Sequence, residues 1–272
     1  MTIALCIRVG DGVVLASDSA TSLKVVGAAG QAGIGQIYHG ARKLIRPCSS
    51  VPVGFVTYGQ GTIEDQSIAS LAVGLRQRLE VGGDWQIDPQ AYTVIGIAER
   101  VRDFYSDRVA TAVNNGHAPH TEIGFLVSGY SAQAEQPEVR EIRIATNGDA
   151  ALDSVDPNEG ASLSYRGFTD PLDRLIKGVS KAADLVVGAQ GAVGQLALQH
   201  SKLTLVSAEM PLSEAVDLAK WLAEVARGAM HFGPGAEIIG GEIDVARIDR
   251  DEGFVWVQQQ ALPVQQDAVD AL

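Results

Sequence analysis

The stretch Thr2-Ile3-Ala4-Leu5-Cys6-Ile7-Arg8-Val9-Gly10-Asp11-Gly12-Val13-Val14-Leu15-Ala16-Ser17-Asp18 decides how the rest of the chain is read. Residues 3–9 and 12–17 are two short apolar runs, with Gly10-Asp11-Gly12 between them. Strand formers around an Asp-Gly turn are the pattern of a β-hairpin. No basic start, secretory-length apolar core or small-residue cleavage site precedes this hairpin, so the N-terminus does not read as a signal peptide. Asp18 ends an apolar strand, where a carboxylate is otherwise unwelcome.

The chain of 272 residues is long enough for a sizeable core. Its formal net charge is -12, from 33 acidic and 21 basic residues. An acidic surface repels phosphate backbones, so nucleic acid is not an expected partner. No apolar run reaches the ~18 residues of a membrane span, so neither is a membrane, and the cytoplasm is the expected location. Cys6 and Cys48 are the only cysteines, too few for a disulfide framework or a zinc site. The five histidines show no metal-ligand spacing, and His117 and His120 read as part of a solvated loop after Asn114-Asn115-Gly116.

Beyond the hairpin, Val25 to Gly40 reads as a loop or a long hairpin tip, and Leu44-Ile45 and Val51 to Thr57 as strands. Apolar residues at helical spacing (Ile68, Leu71, Ala72, Leu75, Leu79) predict a helix over 65–80. Asp88-Pro89 predicts the start of a second helix, with Val94, Ile97, Val101 and Phe104 on one face. Residues 122–128 and 139–145 read as strands, and 147–161 as a polar loop. Asp170-Pro171 opens a further helix, the Ala-, Val- and Leu-rich stretch 182–206 reads as a buried helix, and Ser213 caps a helix over 213–230. A hairpin over 243–248 and 254–257 closes the chain before a frayed tail at 261–272. Strands come in hairpins and helices in blocks, which predicts an α+β architecture of antiparallel sheets with helices on their outer faces. No linker divides residues 1–260, which read as a single domain.

The candidate chemistry begins at Thr2. Its small side chain favours removal of Met1, which leaves a free α-amine beside the Thr2 hydroxyl. An α-amine has a pKa of ~7.7–8.0 and can take the hydroxyl proton without a histidine. Asp18 lies sixteen positions on, and Lys43 enters a strand in Ala41-Arg42-Lys43-Leu44-Ile45. A lysine lowers the pKa values of a nearby amine and hydroxyl, and an aspartate holds the lysine charged. Thr2, Lys43 and Asp18 thus read as nucleophile, electrostatic partner and orienter.

With these residues quoted, the N-terminal stretch resembles the β-type subunits of the proteasome and the related bacterial ATP-dependent peptidase. Those families begin with Thr and read "DGVVLAAD" or similar, with the acid at the same spacing. Lys43 in Arg42-Lys43-Leu44 matches their catalytic lysine. Gly54-Phe55-Val56-Thr57-Tyr58-Gly59-Gln60-Gly61 resembles their "AG-x-x-G-D" turn, which makes Gly59 the expected oxyanion-hole glycine. Met210 to Ala219 resembles the family's "M-[ST]-x-E-E-A-x-x-L" helix start, and Gly240-Gly241-Glu242-Ile243-Asp244-Val245-Ala246 its "GG-x-I-D-V" strand. Of the family's supporting Ser–Asp–Ser set, Ser128 fits the first member and reads equally as a plain strand-end serine. The other two have no match, since Met230-His231-Phe232-Gly233-Pro234-Gly235 stands where they are expected.

The resemblance implies a four-layer αββα fold of the N-terminal nucleophile hydrolases, two antiparallel sheets between outer helices. It implies a threonine-type peptidase with Thr2, Asp18, Lys43, Gly59 and Ser128 at its site. It implies a peptide or unfolded-protein substrate, no metal or organic cofactor, and a homo-oligomeric ring or stack with which an ATPase partner would be consistent. An inactive scaffold-forming subunit and a small-molecule amidase are the alternatives.

Overall fold

The computed structural model describes residues 2–26, 32–155 and 160–260. In chain order they form β1 (Ile3–Val9), β2 (Gly12–Asp18), β3 (Ala20–Val26), β4 (Ala32–His39), β5 (Leu44–Ile45), β6 (Val53–Gly59), β7 (Thr62–Ile63) and β8 (Gln66–Ser67). Then come α1 (Ile68–Glu80), α2 (Val94–Asn114), β9 (Ile123–Gly129), β10 (Glu138–Ile144), β11 (Ala150–Ser154) and β12 (Ser162–Gly167). The chain continues with α3 (Asp170–Ile176), α4 (Lys181–Gly188), α5 (Ala192–Ser201), α6 (Leu212–Phe232), β13 (Ile243–Asp249) and β14 (Gly253–Gln258). The fold is therefore mixed, with antiparallel sheets and helices arriving in blocks.

Two five-stranded sheets carry the molecule, ordered β12-β1-β2-β13-β14 and β11-β10-β9-β6-β5. The N-terminal hairpin forms as expected, with Val9 opposite Gly12 across Gly10-Asp11. Every residue of β1 and β2 is buried, and alternation decides where each one points. Ile3, Leu5, Ile7, Val14 and Ala16 pack against Ala215, Ala219 and Leu222 of α6 and Leu172 of α3. Ala4, Cys6, Val13 and Leu15 pack against Leu44, Val56 and Leu126 of the other sheet. That sheet turns Phe55, Phe125 and Val127 toward Leu75 of α1 and Ile97, Val101 and Tyr105 of α2. A strand covered on both faces needs apolar residues at every position, which is why β1 reads as an unbroken run. Arg166 of β12 donates to Glu141 of β10 at 2.6 Å, and the Tyr58 hydroxyl of β6 donates to the same carboxylate. These bonds tie the sheets together beside the open end of β6.

Several expectations are corrected. Ala20–Val26 and Ala32–His39 pair as strands β3 and β4, so the described part of the stretch read from Val25 to Gly40 as a loop or a long hairpin tip is largely strand. Asp88-Pro89 makes a turn instead of a helix start: the Asp88 carboxylate accepts from Gln90 N at 2.9 Å. Helix α2 begins at Val94, where the Thr93 hydroxyl accepts from Gly96 N at 3.0 Å. Pro211, not Ser213, takes the N-cap position of α6. The polar loop expected over 147–161 contains β11, and β12 directly follows that range. The stretch 182–206 is two short helices broken at Ala189–Gly191 rather than one buried helix, with Leu185, Val186 and Val193 exposed. The tail at 261–272 lies outside the described residues. Among the described residues no helix is long and apolar enough to cross a membrane.

Candidate functional site

Thr2 stands one residue before β1 and is only 5% exposed. Its backbone is pinned from the far edge of the sheet, where Phe168 N donates to Thr2 O at 2.8 Å. Gly167, at φ +93°, lies directly beneath, and a Cβ there would collide with the Thr2 carbonyl oxygen. The next residue ties the strand to Asp18, since Ile3 N donates to Asp18 Oδ1 at 3.0 Å.

Asp18 closes β2 and is buried. Besides the Ile3 amide, Oδ1 accepts from Lys43 Nζ at 2.7 Å. Oδ2 accepts from Ala20 N at 3.2 Å and from Gly240 N at 3.3 Å. Four donors on one carboxylate account for its burial, since a buried charge must be paired and hydrogen-bonded. Lys43 enters β5 and is itself buried, its carbonyl accepting from Thr57 N at 2.9 Å. Burial pushes the Lys43 ammonium below its ordinary pKa, and the Asp18 carboxylate offsets this without cancelling it. The structure thus brings Thr2, Asp18 and Lys43 to one place by way of four segments: the start of β1, the end of β2, the entry to β5 and the turn before β13.

A cleft of about 1180 Å³ opens over this group. Thr2, Lys43 and Gly167 line one part of it, with Thr21 and Ser22 of β3 along one side and Thr57 and Gly59 of β6 along another. Gly59 has φ +85°, and a Cβ would collide with the Glu122 carbonyl oxygen, so backbone conformation and close approach both require glycine there. His117 and His120, exposed as expected, stand at the cleft beside Glu64 of the β7–β8 turn. Among the described residues no group of three or more His, Cys, Asp or Glu could hold a metal ion.

Ser128 is not brought to this group. It sits opposite Gly54 on β9, five residues along the strand from Ile123, the partner of Gly59. That separation is ~17 Å at the rise of a strand. Its hydroxyl donates to the Glu138 carbonyl at 2.7 Å, and it does not line the cleft. Met230 to Gly235 does not line the cleft either: Met230 packs in the core and His231 meets Glu237 at 2.6 Å. Downstream of it Ile238 and Ile239 enter the core, and Gly240 is the residue that reaches Asp18. Thr57 and Gly240 stand in sequence motifs that give them no role in the site, and Gly167 stands in none. Gly240 had a signal, the Gly-Gly pair that opens the last hairpin. Gly167 and Thr57 had none that local pattern carries.

No family model matches the chain, and no curated protein matches it by sequence. Solved structures do match in three dimensions. Anbu (ancestral β-subunit) from Yersinia bercovieri superposes with TM-score 0.52 at 13% identity, over 95% of this chain and 88% of that one. Anbu from Hyphomicrobium sp. strain MC1 gives 0.51 at 16% identity, over 95% and 86%. A structure described as the helical assembly of the Anbu complex from Pseudomonas aeruginosa gives 0.53 at 16% identity, over 98% and 88%. At these identities the likeness is one of fold alone.

Proposed function

We propose that the chain is a threonine-type peptidase whose nucleophile is Thr2, exposed by removal of Met1, on a four-layer αββα N-terminal nucleophile hydrolase fold formed by residues 1–260 as one domain. The observation that carries this reading is the buried Lys43–Asp18 pair, at 2.7 Å, under a cleft that Thr2 also lines. Burying an ammonium and a carboxylate is costly, and a structural role alone gives no reason for that cost beside the Thr2 hydroxyl.

The reaction follows from these groups. The Thr2 α-amine takes the proton of its own hydroxyl as Oγ1 attacks the carbonyl carbon of a peptide bond. The Lys43 ammonium favours this ionisation, and Asp18 holds the lysine in place. The carbonyl π pair moves to oxygen, and the backbone at Gly59 supplies the donor that meets it, worth ~3 kcal/mol if one donor acts. When the intermediate collapses, the C–N bond breaks and the leaving amine carries off the proton held by the α-amine. Water, deprotonated by the same amine, then attacks the ester and releases the acid and the hydroxyl. Peptides or unfolded protein are the proposed substrates, and a homo-oligomer is the proposed working form, in keeping with the helical assembly of the Anbu complex from Pseudomonas aeruginosa.

The test is intact mass before and after an N-terminal-threonine-directed epoxyketone or β-lactone. Loss of Met1 and one adduct, absent in Thr2→Ala, is the expected result. A retained Met1 or no adduct overturns the reading. A second reading, a scaffold subunit without chemistry, is favoured by the placement of Ser128 away from the cleft and by apolar Ile238 and Ile239 beside Gly240. It expects assembly without an adduct.

A further inference from the structure

A second carboxylate stands beside the Lys43–Asp18 pair, and the reaction above does not use it. Asp244 is the second residue of β13 and is 1% exposed. It lies opposite Ser17 in the β13–β2 ladder, while its neighbour Ile243 lies opposite Asp18. The two carboxylates therefore stand one rung apart on adjacent strands, with Asp244 on the sheet face of Ser17. Along β13, Ala246 and Ile248 share the face of Asp244 and pack toward the other sheet, against Leu44 among others. Asp244 thus faces the entry of β5, where Lys43 sits. Its Oδ1 accepts from Gln260 N at 2.7 Å. The hydroxyl of Ser17, on the same face, is buried with no hydrogen-bond partner among the described residues.

The charges around Lys43 come from few groups. Asp18 and Asp244 both act on it, and Asp244 is itself acted on by Arg42, Lys43 and Glu242. Arg42 and Glu242 are exposed, so their fields are screened. The buried balance is then two carboxylates against one ammonium. Freeing the Thr2 α-amine adds a second cation and brings the count level when that amine is protonated. A buried lysine next to an α-ammonium loses its proton readily unless further negative charge stands near.

Resting on the Thr2 reading, we infer that Asp244 is a positioning residue of this site: it is a second buried counter-charge that keeps Lys43 an ammonium while the α-amine takes up the hydroxyl proton. Burial pushes the Asp244 carboxyl above its usual range, and the Gln260 amide, Arg42 and Lys43 pull it part of the way back. The pair is thereby coupled: whatever protonates Asp244 weakens the hold on the Lys43 proton.

The experiment follows Lys43 itself. The Lys43 side-chain carbon resonance, assigned by its absence in Lys43→Arg, is titrated in Thr2→Ala and in Thr2→Ala with Asp244→Asn. Neither protein needs to react. Asn is isosteric and keeps an acceptor for Gln260 N. The expected result is a Lys43 midpoint lower in the Asn variant by about one pH unit, a tenfold change in proton affinity, equivalent to about 1.4 kcal/mol. Equal midpoints overturn the inference. If the Asn variant does not fold, the Asp244 carboxyl carbon is titrated in Thr2→Ala alone. A Lys43 resonance that moves through the Asp244 midpoint supports the coupling, and one that ignores it overturns it. Failure of the peptidase reading shows elsewhere, as an unaltered chain that forms no adduct.

Discussion

Asp18 shows how one side chain organises a site. It is bonded by an amide 15 residues back, by an amide two residues on, by a lysine 25 residues on and by an amide 222 residues on. Lys43→Met leaves that carboxylate buried without its cation and is expected to cost about 3–5 kcal/mol, read by urea denaturation at pH 7. The pH dependence has a definite sign. Because burial lowers the Lys43 pKa below 10.5, the unfolded chain binds more protons between the lowered value and 10.5, and stability rises with pH in that window. Unfolding free energies of the parent relative to Lys43→Met are therefore expected to climb there, and a flat difference contradicts the account. Gly59→Ala meets both a positive φ and the Glu122 carbonyl. It is expected to lose about 1–3 kcal/mol of stability and to slow adduct formation. Ser128→Ala, by contrast, removes one buried hydrogen bond away from the cleft. It is expected to lower stability by about 1 kcal/mol and to leave the adduct rate and its pH profile unchanged. A shifted profile would return Ser128 to the site.

Elements differ in how much of themselves their sequence carries. Helix α1 and the strand runs of β1, β2, β6 and β9 are each covered on the faces their apolar residues name, so periodicity finds them. Strand β12 escapes that logic. Its Ser162 and Ser164 are buried while Leu163 and Tyr165 are only half-buried, the reverse of the usual alternation, and pairing with β1 holds it in place. Helix caps are only partly legible in the sequence, for a physical reason. At α2 the chain passes two candidate starts, and the one whose oxygen meets a helical amide wins. Thr93→Ala removes that oxygen and is expected to cost about 1 kcal/mol, measured by thermal unfolding, while Asp88→Ala is expected to cost less. The pair α4–α5 departs from the buried helix expected there because an apolar composition does not say whether a partner surface exists. No residue of α4 is buried.

At the scale of the whole molecule, the proposed homo-oligomer is checked by light scattering on the purified chain. An assembly of several 28.6 kDa subunits is expected, and a monomer at micromolar concentration contradicts it. The amino-acid sequence by itself determined the N-terminal hairpin, the spacing of Thr2 and Asp18, the strand-entry lysine and the grouping of strands and helices, because these depend on residues close along the chain. Only the tertiary structure decided that Gly240 closes on Asp18, that Asp244 is buried opposite Ser17, that Gly167 underlies Thr2, and that Ser128 stands apart. Those relations depend on strand order and register, in which β13 joins β2 and β12 joins β1 across more than a hundred residues. Local pattern fixes which face a side chain takes, but the neighbour across that face is chosen by the packing of the two sheets.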